Sequence, residues 1–101
     1  MEEAVAYYCG PWNGRVKGEI VEAARRKGLS VVAFFVDSGR VRSIPVWKRR
    51  NYRAMIDFAL AHRIKAIIIY SLSGFSRNLR EAEAELQRLE SEGFTYYFLK
   101  P

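Results

Sequence analysis

Apolar positions recur along the chain in two alternating rhythms. Ala4 to Tyr8 is a short apolar run, after which Val16, Ile20, Ala23 and Ala24 return at helical spacing, so a strand is followed by a helix. Lys27-Gly28 is a helix-stop signal. Val31 to Val36 is so dense in β-branched and aromatic residues that it predicts a strand buried on both faces and central in its sheet. Tyr52, Met55, Ile56, Ala59 and Leu60 form the next helical stripe and lead into another buried strand, Ala66 to Tyr70. Asn78 is placed to cap a third helix with Glu81 three residues on; Leu79, Ala82, Leu86 and Leu89 face inward, Gly93 ends it, and Phe94 to Leu99 is the last strand. The order βαβαβαβ, with short connections and right-handed crossovers, predicts a three-layer α/β domain whose mostly parallel sheet carries helices on both faces.

Length and composition narrow the chemistry. The 101 residues suit a single domain over 1–101, with no low-complexity segment or linker. No apolar run approaches the roughly 18 to 20 residues a bilayer span requires, which predicts no membrane segment. The start Met1-Glu2-Glu3 is acidic where a secretory signal is basic, so a cytoplasmic protein is expected. Cys9 is the single cysteine and His62 the single histidine, so neither a disulfide nor a Cys/His metal cluster is expected, and no cofactor is implied.

The net charge of +6 is concentrated in one segment. Residues 38–65 hold Arg40, Arg42, Lys48, Arg49, Arg50, Arg53, Arg63 and Lys65 against Asp57 alone, while residues 1–37 balance. Such a block suits a polyanion such as a nucleic-acid backbone, because each neutralised phosphate releases counterion; a solvated basic face with no partner is the competing explanation.

In an open parallel sheet, ligands collect at the carboxyl ends of the strands. Three predicted loops lie there: Cys9 to Arg15, Asp37 to Trp47, and Ser71 to Asn78. They bring hydroxyls, glycines and guanidiniums to one rim, where helix-start N–H groups and arginine forks suit a phosphate or sulfate. The same residue types also serve as ordinary caps and turns.

Asp37-Ser38-Gly39, the segment Arg49-Arg50-Asn51-Tyr52-Arg53-Ala54-Met55, and above all Tyr70-Ser71-Leu72-Ser73-Gly74-Phe75-Ser76-Arg77-Asn78 resemble the catalytic domain of serine recombinases, the resolvase and invertase family. Ala4 to Tyr8 fits that family's first strand, and the resemblance covers most of the chain. It implies a resolvase-like, flavodoxin-like architecture. In that family a serine after the first strand attacks a DNA phosphodiester to form a 5′-phosphoserine link, and arginines hold the scissile phosphate. Guanidiniums suit this task because negative charge on the non-bridging oxygens is held in the transition state.

The departures are specific. Where the family reads Tyr-x-Arg-Val-Ser-Thr this chain reads Tyr7-Tyr8-Cys9-Gly10-Pro11-Trp12, so Cys9 takes the arginine position and Pro11 the nucleophile's. The family's Asp-Arg-Leu-x-Arg becomes Ser73-Gly74-Phe75-Ser76-Arg77, which keeps only the last arginine. The first loop and helix are also shorter, and the family's glutamine is missing there. The resemblance carries over Asp37, Arg49 and Arg77, the two arginines as phosphate-binding groups, with Arg40, Arg42, Lys48 and Arg50 beside them as DNA-binding candidates. No separate DNA-binding domain is expected, since the chain stops at Pro101, before the family's long dimerisation helix. The resulting expectation is a degenerate resolvase-like domain without strand cleavage, acting through DNA, an intact recombinase or self-association.

Two other chemistries compete. Cys9-Gly10-Pro11-Trp12-Asn13-Gly14-Arg15 resembles the phosphate loop of cysteine-dependent phosphatases, in which a thiolate at a helix N-terminus attacks and an arginine clamps the phosphate. Against it, Val16 stands where that family has Ser or Thr, and Pro11 removes one N–H. Alternatively Ser71, Ser73 or Ser76 replaces the lost serine as nucleophile, although displacement by several ångströms ordinarily destroys an in-line reaction. Trp12 and Trp47 fall in rim loops, where they stack on bases or cover the sheet.

Overall fold

The computed structural model describes all residues, 1–101. Strand β1 (Glu2–Cys9) leads to helix α1 (Gly14–Arg26) and strand β2 (Leu29–Asp37). Two single turns of 3-10 helix (Gly39–Val41 and Val46–Lys48) precede α2 (Arg50–Ala61) and β3 (Ala66–Ser71). A one-turn helix α3 (Leu72–Phe75), then α4 (Leu79–Ser91) and β4 (Thr95–Lys100), complete the chain. The four strands are all parallel in the order β2-β1-β3-β4, so the predicted three-layer α/β architecture is the observed one. No helix is long and apolar enough to cross a membrane.

Period-two alternation along β1 divides the core. Ala4 and Ala6 join Ala66 and Ile68 against Val16, Ile20 and Ala24 of α1. The small side chains on β1 let the helix come close to the sheet. Val5, Tyr7 and Cys9 point the other way, joining Ile67 and Ile69 against Tyr52, Met55, Ile56 and Ala59 of α2 and Ala82 and Leu89 of α4. Burying each of the larger aliphatic side chains contributes about 1.5–3 kcal/mol.

The expected central position of β2 is corrected: it is an edge strand, paired only with β1, and β1 and β3 occupy the centre. Its apolar density reports coverage of both faces rather than neighbours on both sides. Ala33 and Phe35 pack on the α2 side, Val31 and Phe34 on the α1 side. These parities are compatible only because the register shifts between Ala4 and Val5, leaving Val32 as an extra, exposed residue. A bulge of this kind also twists an otherwise bare edge away from further pairing.

Local signals account for the boundaries. Asn13 accepts from the Val16 N–H at 3.0 Å and starts α1, and Asn78 accepts from the Arg80 and Glu81 N–H groups at 2.9 and 3.2 Å and starts α4. Gly28 and Gly93 follow α1 and α4 with φ of 75° and 87°, the left-handed geometry that glycine adopts without a Cβ penalty. The short helix α3 and the two 3-10 turns carry no periodic pattern and were not foreseen from the sequence.

Candidate functional site

The three loops at the carboxyl end of the sheet are tied together by named bonds. The Gly10 N–H donates to the Asp37 carbonyl at 2.9 Å, and the Cys9 thiol donates to the Ser38 carbonyl at 3.4 Å. Arg42 Nη2 donates to the Cys9 carbonyl at 3.1 Å. Gly10 itself has a φ of 150°, and a Cβ there would come within 2.8 Å of the Tyr8 hydroxyl, so the chain leaves β1 through a position only glycine fills easily.

Asp37 and Arg49 meet at the hydroxyl of Tyr7. Tyr7 donates to Asp37 Oδ2 at 2.9 Å and accepts from Arg49 Nη1 at 3.3 Å. The Asp37 carboxylate also accepts from the N–H groups of Asn51 and Tyr52, at 3.1 and 3.0 Å. The residue at the head of α2, Arg49, has no side-chain oxygen to cap the helix, so an aspartate from β2 satisfies two of its free N–H groups. Burial pushes the Tyr7 phenol well above its ordinary value, with the Arg49 guanidinium opposing.

Arg49 is only 2% exposed. Its Nε donates to the Ile44 carbonyl at 3.0 Å, Nη1 to the Gly74 carbonyl at 2.6 Å, and Nη2 to the Arg42 carbonyl at 3.2 Å. With the Tyr7 bond, four of the five N–H donors of this guanidinium are committed inside the protein. It binds loops where the sequence suggested a phosphate.

The remaining cations are arranged differently. Arg40, Lys48, Arg50 and Arg77 are exposed, and neither they nor Arg42 form an ion pair. Arg42 Nε is a buried donor without an acceptor. By contrast four of the five arginines of α1 and α4 are neutralised locally, Arg15 by Glu19, Arg25 and Arg26 by Glu22, and Arg88 by Glu85 and Glu92, while Arg80 has no carboxylate partner. Unpaired positive charge is thus gathered on the loops and the head of α2, with Lys17 of α1 and Arg80 of α4 also lacking a carboxylate partner.

Pro11 is exposed just beyond β1. The hydroxyls of the third loop have structural partners. Ser71 Oγ caps α3 by accepting from the Gly74 N–H at 3.0 Å, and Ser73 Oγ lies 3.4 Å from Ser71 Oγ. Ser76 Oγ donates to the Asn78 carbonyl and accepts from the Asn78 N–H. The phosphatase geometry is not assembled either: the Cys9 side chain is buried against Ser38, and Arg15 turns outward to Glu19 at 3.0 Å.

A second buried polar cluster escaped the sequence reading. Glu85 is 2% exposed, accepts from the Tyr52 hydroxyl at 2.6 Å and pairs with Arg88 at 2.5 Å, linking α2 to α4. Burial, and then the Glu85 charge, raise the Tyr52 phenol, and the Glu85 bond raises Arg88. The available signal was Glu85 itself, a carboxylate on the same inward stripe as Ala82 and Leu89.

A parallel α/β sheet with three polar loops gathered at its carboxyl end is an open-sheet domain whose loops lie where such sheets bind their ligands. Residues 15–101 match the family described as Resolvase, N terminal domain, and the chain belongs to that family. The match begins just past the loop that contains Pro11. Among solved structures, the N-terminal catalytic domain of TP901-1 integrase is similar with a TM-score of 0.78 and 14% identity, covering 97% of this chain and 77% of that one. The C-terminal catalytic domain of ISC1926 TnpA, an IS607-like serine recombinase, is similar with a TM-score of 0.72 and 18% identity, covering 98% of this chain and 69% of that one. No curated protein matches the chain.

Proposed function

We propose that this chain is a resolvase-family domain that binds DNA through its cationic rim and does not cleave it. The observation that carries the reading is the division of the cations. Arg15, Arg25, Arg26 and Arg88 on α1 and α4 are paired, whereas Arg40, Arg42, Lys48, Arg50 and Arg77 at the rim have no carboxylate partner, and Arg42 keeps a donor without an acceptor. Unpaired guanidiniums at one end of a sheet suit a phosphate backbone.

The motif resemblance supports absence of cleavage. It sets Pro11, which has no hydroxyl, at the position of the family's serine, and Cys9 and Gly74 at arginine positions. Arg49 serves as a positioning residue whose donors hold the rim loops together. The nearby serines are held as caps or turn residues.

The test is retardation of duplex DNA over a salt series, alongside a search for an SDS-resistant protein–DNA adduct on supercoiled DNA. Salt-sensitive retardation without an adduct is expected. Retardation that ignores salt removes the DNA reading, and an adduct removes the non-cleaving one. A partnership with an intact recombinase, or self-association, belongs to the same proposal, since the family as a whole acts on DNA through recombinases.

A further inference from the structure

The face of the sheet covered by α1 ends in an aromatic group that the cationic rim does not use. Trp12 leans on Tyr8 and Phe34, with ring centroids 5.9 and 5.4 Å away and planes tilted by 55° and 53°. Tyr8 in turn meets Tyr70 edge-on at 4.9 Å. Tyr8, Phe34 and Tyr70 are half-buried, but Trp12 is 39% exposed, so one ring of the group is open to solvent and the others buttress it.

The indole is presented on a short, fixed loop. Gly10 is held to β2 through the Asp37 carbonyl, Pro11 fixes its own φ, and Asn13 is occupied as the cap of α1. A ring already immobilised loses little entropy when a ligand stacks on it. The loop also abuts the cationic rim: the Cβ position of Gly39 lies 3.7 Å from Gly10 Cα, and Arg42 bonds the Cys9 carbonyl.

The charge around the ring is positive. Lys17 lies 5.5 Å from the centre of the Phe34 ring and Lys100 lies 5.1 Å from that of Tyr70. The carboxylate on this side, Glu19, is engaged by the Tyr70 hydroxyl, Lys100 and Arg15, which hold it below the usual carboxylate range. An exposed ring on an aromatic group that Lys17 and Lys100 also touch, beside unpaired arginines, complements a base that carries a phosphate on either side.

We infer that Trp12 is a stacking platform for an unpaired nucleobase, so that the chain engages DNA with a melted or single-stranded nucleotide next to the phosphates held by Arg40 and Arg42. This rests on the proposed DNA binding and extends it. A base inside an intact duplex has both faces covered by its neighbours, so only an unpaired or terminal base can use the platform.

The test uses the full chain. Trp47→Phe leaves Trp12 as the one indole, which is then titrated with an oligo-dT of about a dozen nucleotides, within the range one small domain covers, and with a duplex of equal length. Oligo-dT is expected to quench Trp12 emission. Trp12→Ala is expected to weaken oligo-dT binding about tenfold at fixed salt, as loss of one stacked base does, and to change duplex retardation less than about twofold.

Trp12→Tyr, which keeps a ring on Tyr8 and Phe34, is expected to bind oligo-dT within a few-fold of the parent. Should Trp12→Ala lose its fold by circular dichroism, quenching in the Trp47→Phe protein and the affinity of Trp12→Tyr decide. Oligo-dT binding without quenching, or unchanged by loss of the ring, overturns the inference while duplex retardation preserves the broader reading; absence of binding to either DNA overturns both. Loss of self-association in Trp12→Ala with oligo-dT binding intact assigns the ring to a protein contact and also overturns it.

Discussion

Arg49 donates from Nη1 to the carbonyl oxygen of Gly74 at 2.6 Å, joining the loop before α2 to the short helix after β3. The same guanidinium reaches Ile44, Arg42 and Tyr7, so removing it strands several buried acceptors at once. Arg49→Ala is expected to cost about 3–5 kcal/mol in urea unfolding, a large part of the ~5–15 kcal/mol that holds a small domain together. Arg49→Lys is expected to recover less than half, because an ammonium cannot serve four diverging acceptors. Unfolding free energies within about 0.5 kcal/mol of the parent, the range for ordinary surface changes, contradict this role.

The cap that Asp37 supplies to α2 leads to a second expectation. Asp37→Ala removes an acceptor from the N–H groups of Asn51 and Tyr52 and from the Tyr7 hydroxyl, with a loss of about 2–4 kcal/mol. Asp37→Asn keeps one carbonyl oxygen and is expected to fall between. Amide exchange at Asn51 and Tyr52 separates this from general loosening, since those two protons are expected to lose protection first.

Tyr7 and Tyr52 set the alkaline limit. Burial raises both phenols, so the folded chain keeps these protons longer than the unfolded one. The associated stability is fully present below the unfolded tyrosine value of about 10, and it falls as pH rises from there toward the raised folded values. Urea midpoints are expected to be level to about pH 9.5 and then to decline, with a shallower decline in Tyr52→Phe. A parent curve flat to pH 12 contradicts the burial of these hydroxyls.

The rim cations predict a salt slope. Changing Arg40, Arg42 and Arg50 together to Ala is expected to reduce the slope of log affinity for duplex DNA against log salt by up to ~0.9 per lost phosphate contact. Arg25→Ala and Arg26→Ala, in residues paired to Glu22, are expected to change it little. Equal effects from both sets remove the special role of the rim.

Pro11→Ser introduces a hydroxyl where the resemblance implies the family's serine, and leaves Cys9 and Gly74 without arginines. No covalent adduct with supercoiled DNA is expected from this variant. Adding Gly74→Arg is expected to be costly as well, because a Cβ there lies 3.0 Å from Ser71 Oγ, which caps α3. An adduct with Pro11→Ser alone means that the remaining cations suffice for cleavage.

Sequence periodicity reached the architecture because each helix shows a stripe and each strand a dense run. Asn78, Gly28 and Gly93 marked boundaries through local chemistry that needs no tertiary context. The edge position of β2 was hidden, since Val31 to Val36 reads alike whether helices or strands flank it. The sequence motif brought Asp37 and Arg49 forward without placing them beside one another. It was silent on Tyr7 as the hydroxyl between them, and on Glu85, whose partner Tyr52 is 33 residues away.

The arginine that most resembles a catalytic group is also the bolt across the rim. Whether or not the domain cleaves DNA, that guanidinium is required to hold its loops in place. Its presence in a family motif is thus a measure of architecture as well as of chemistry.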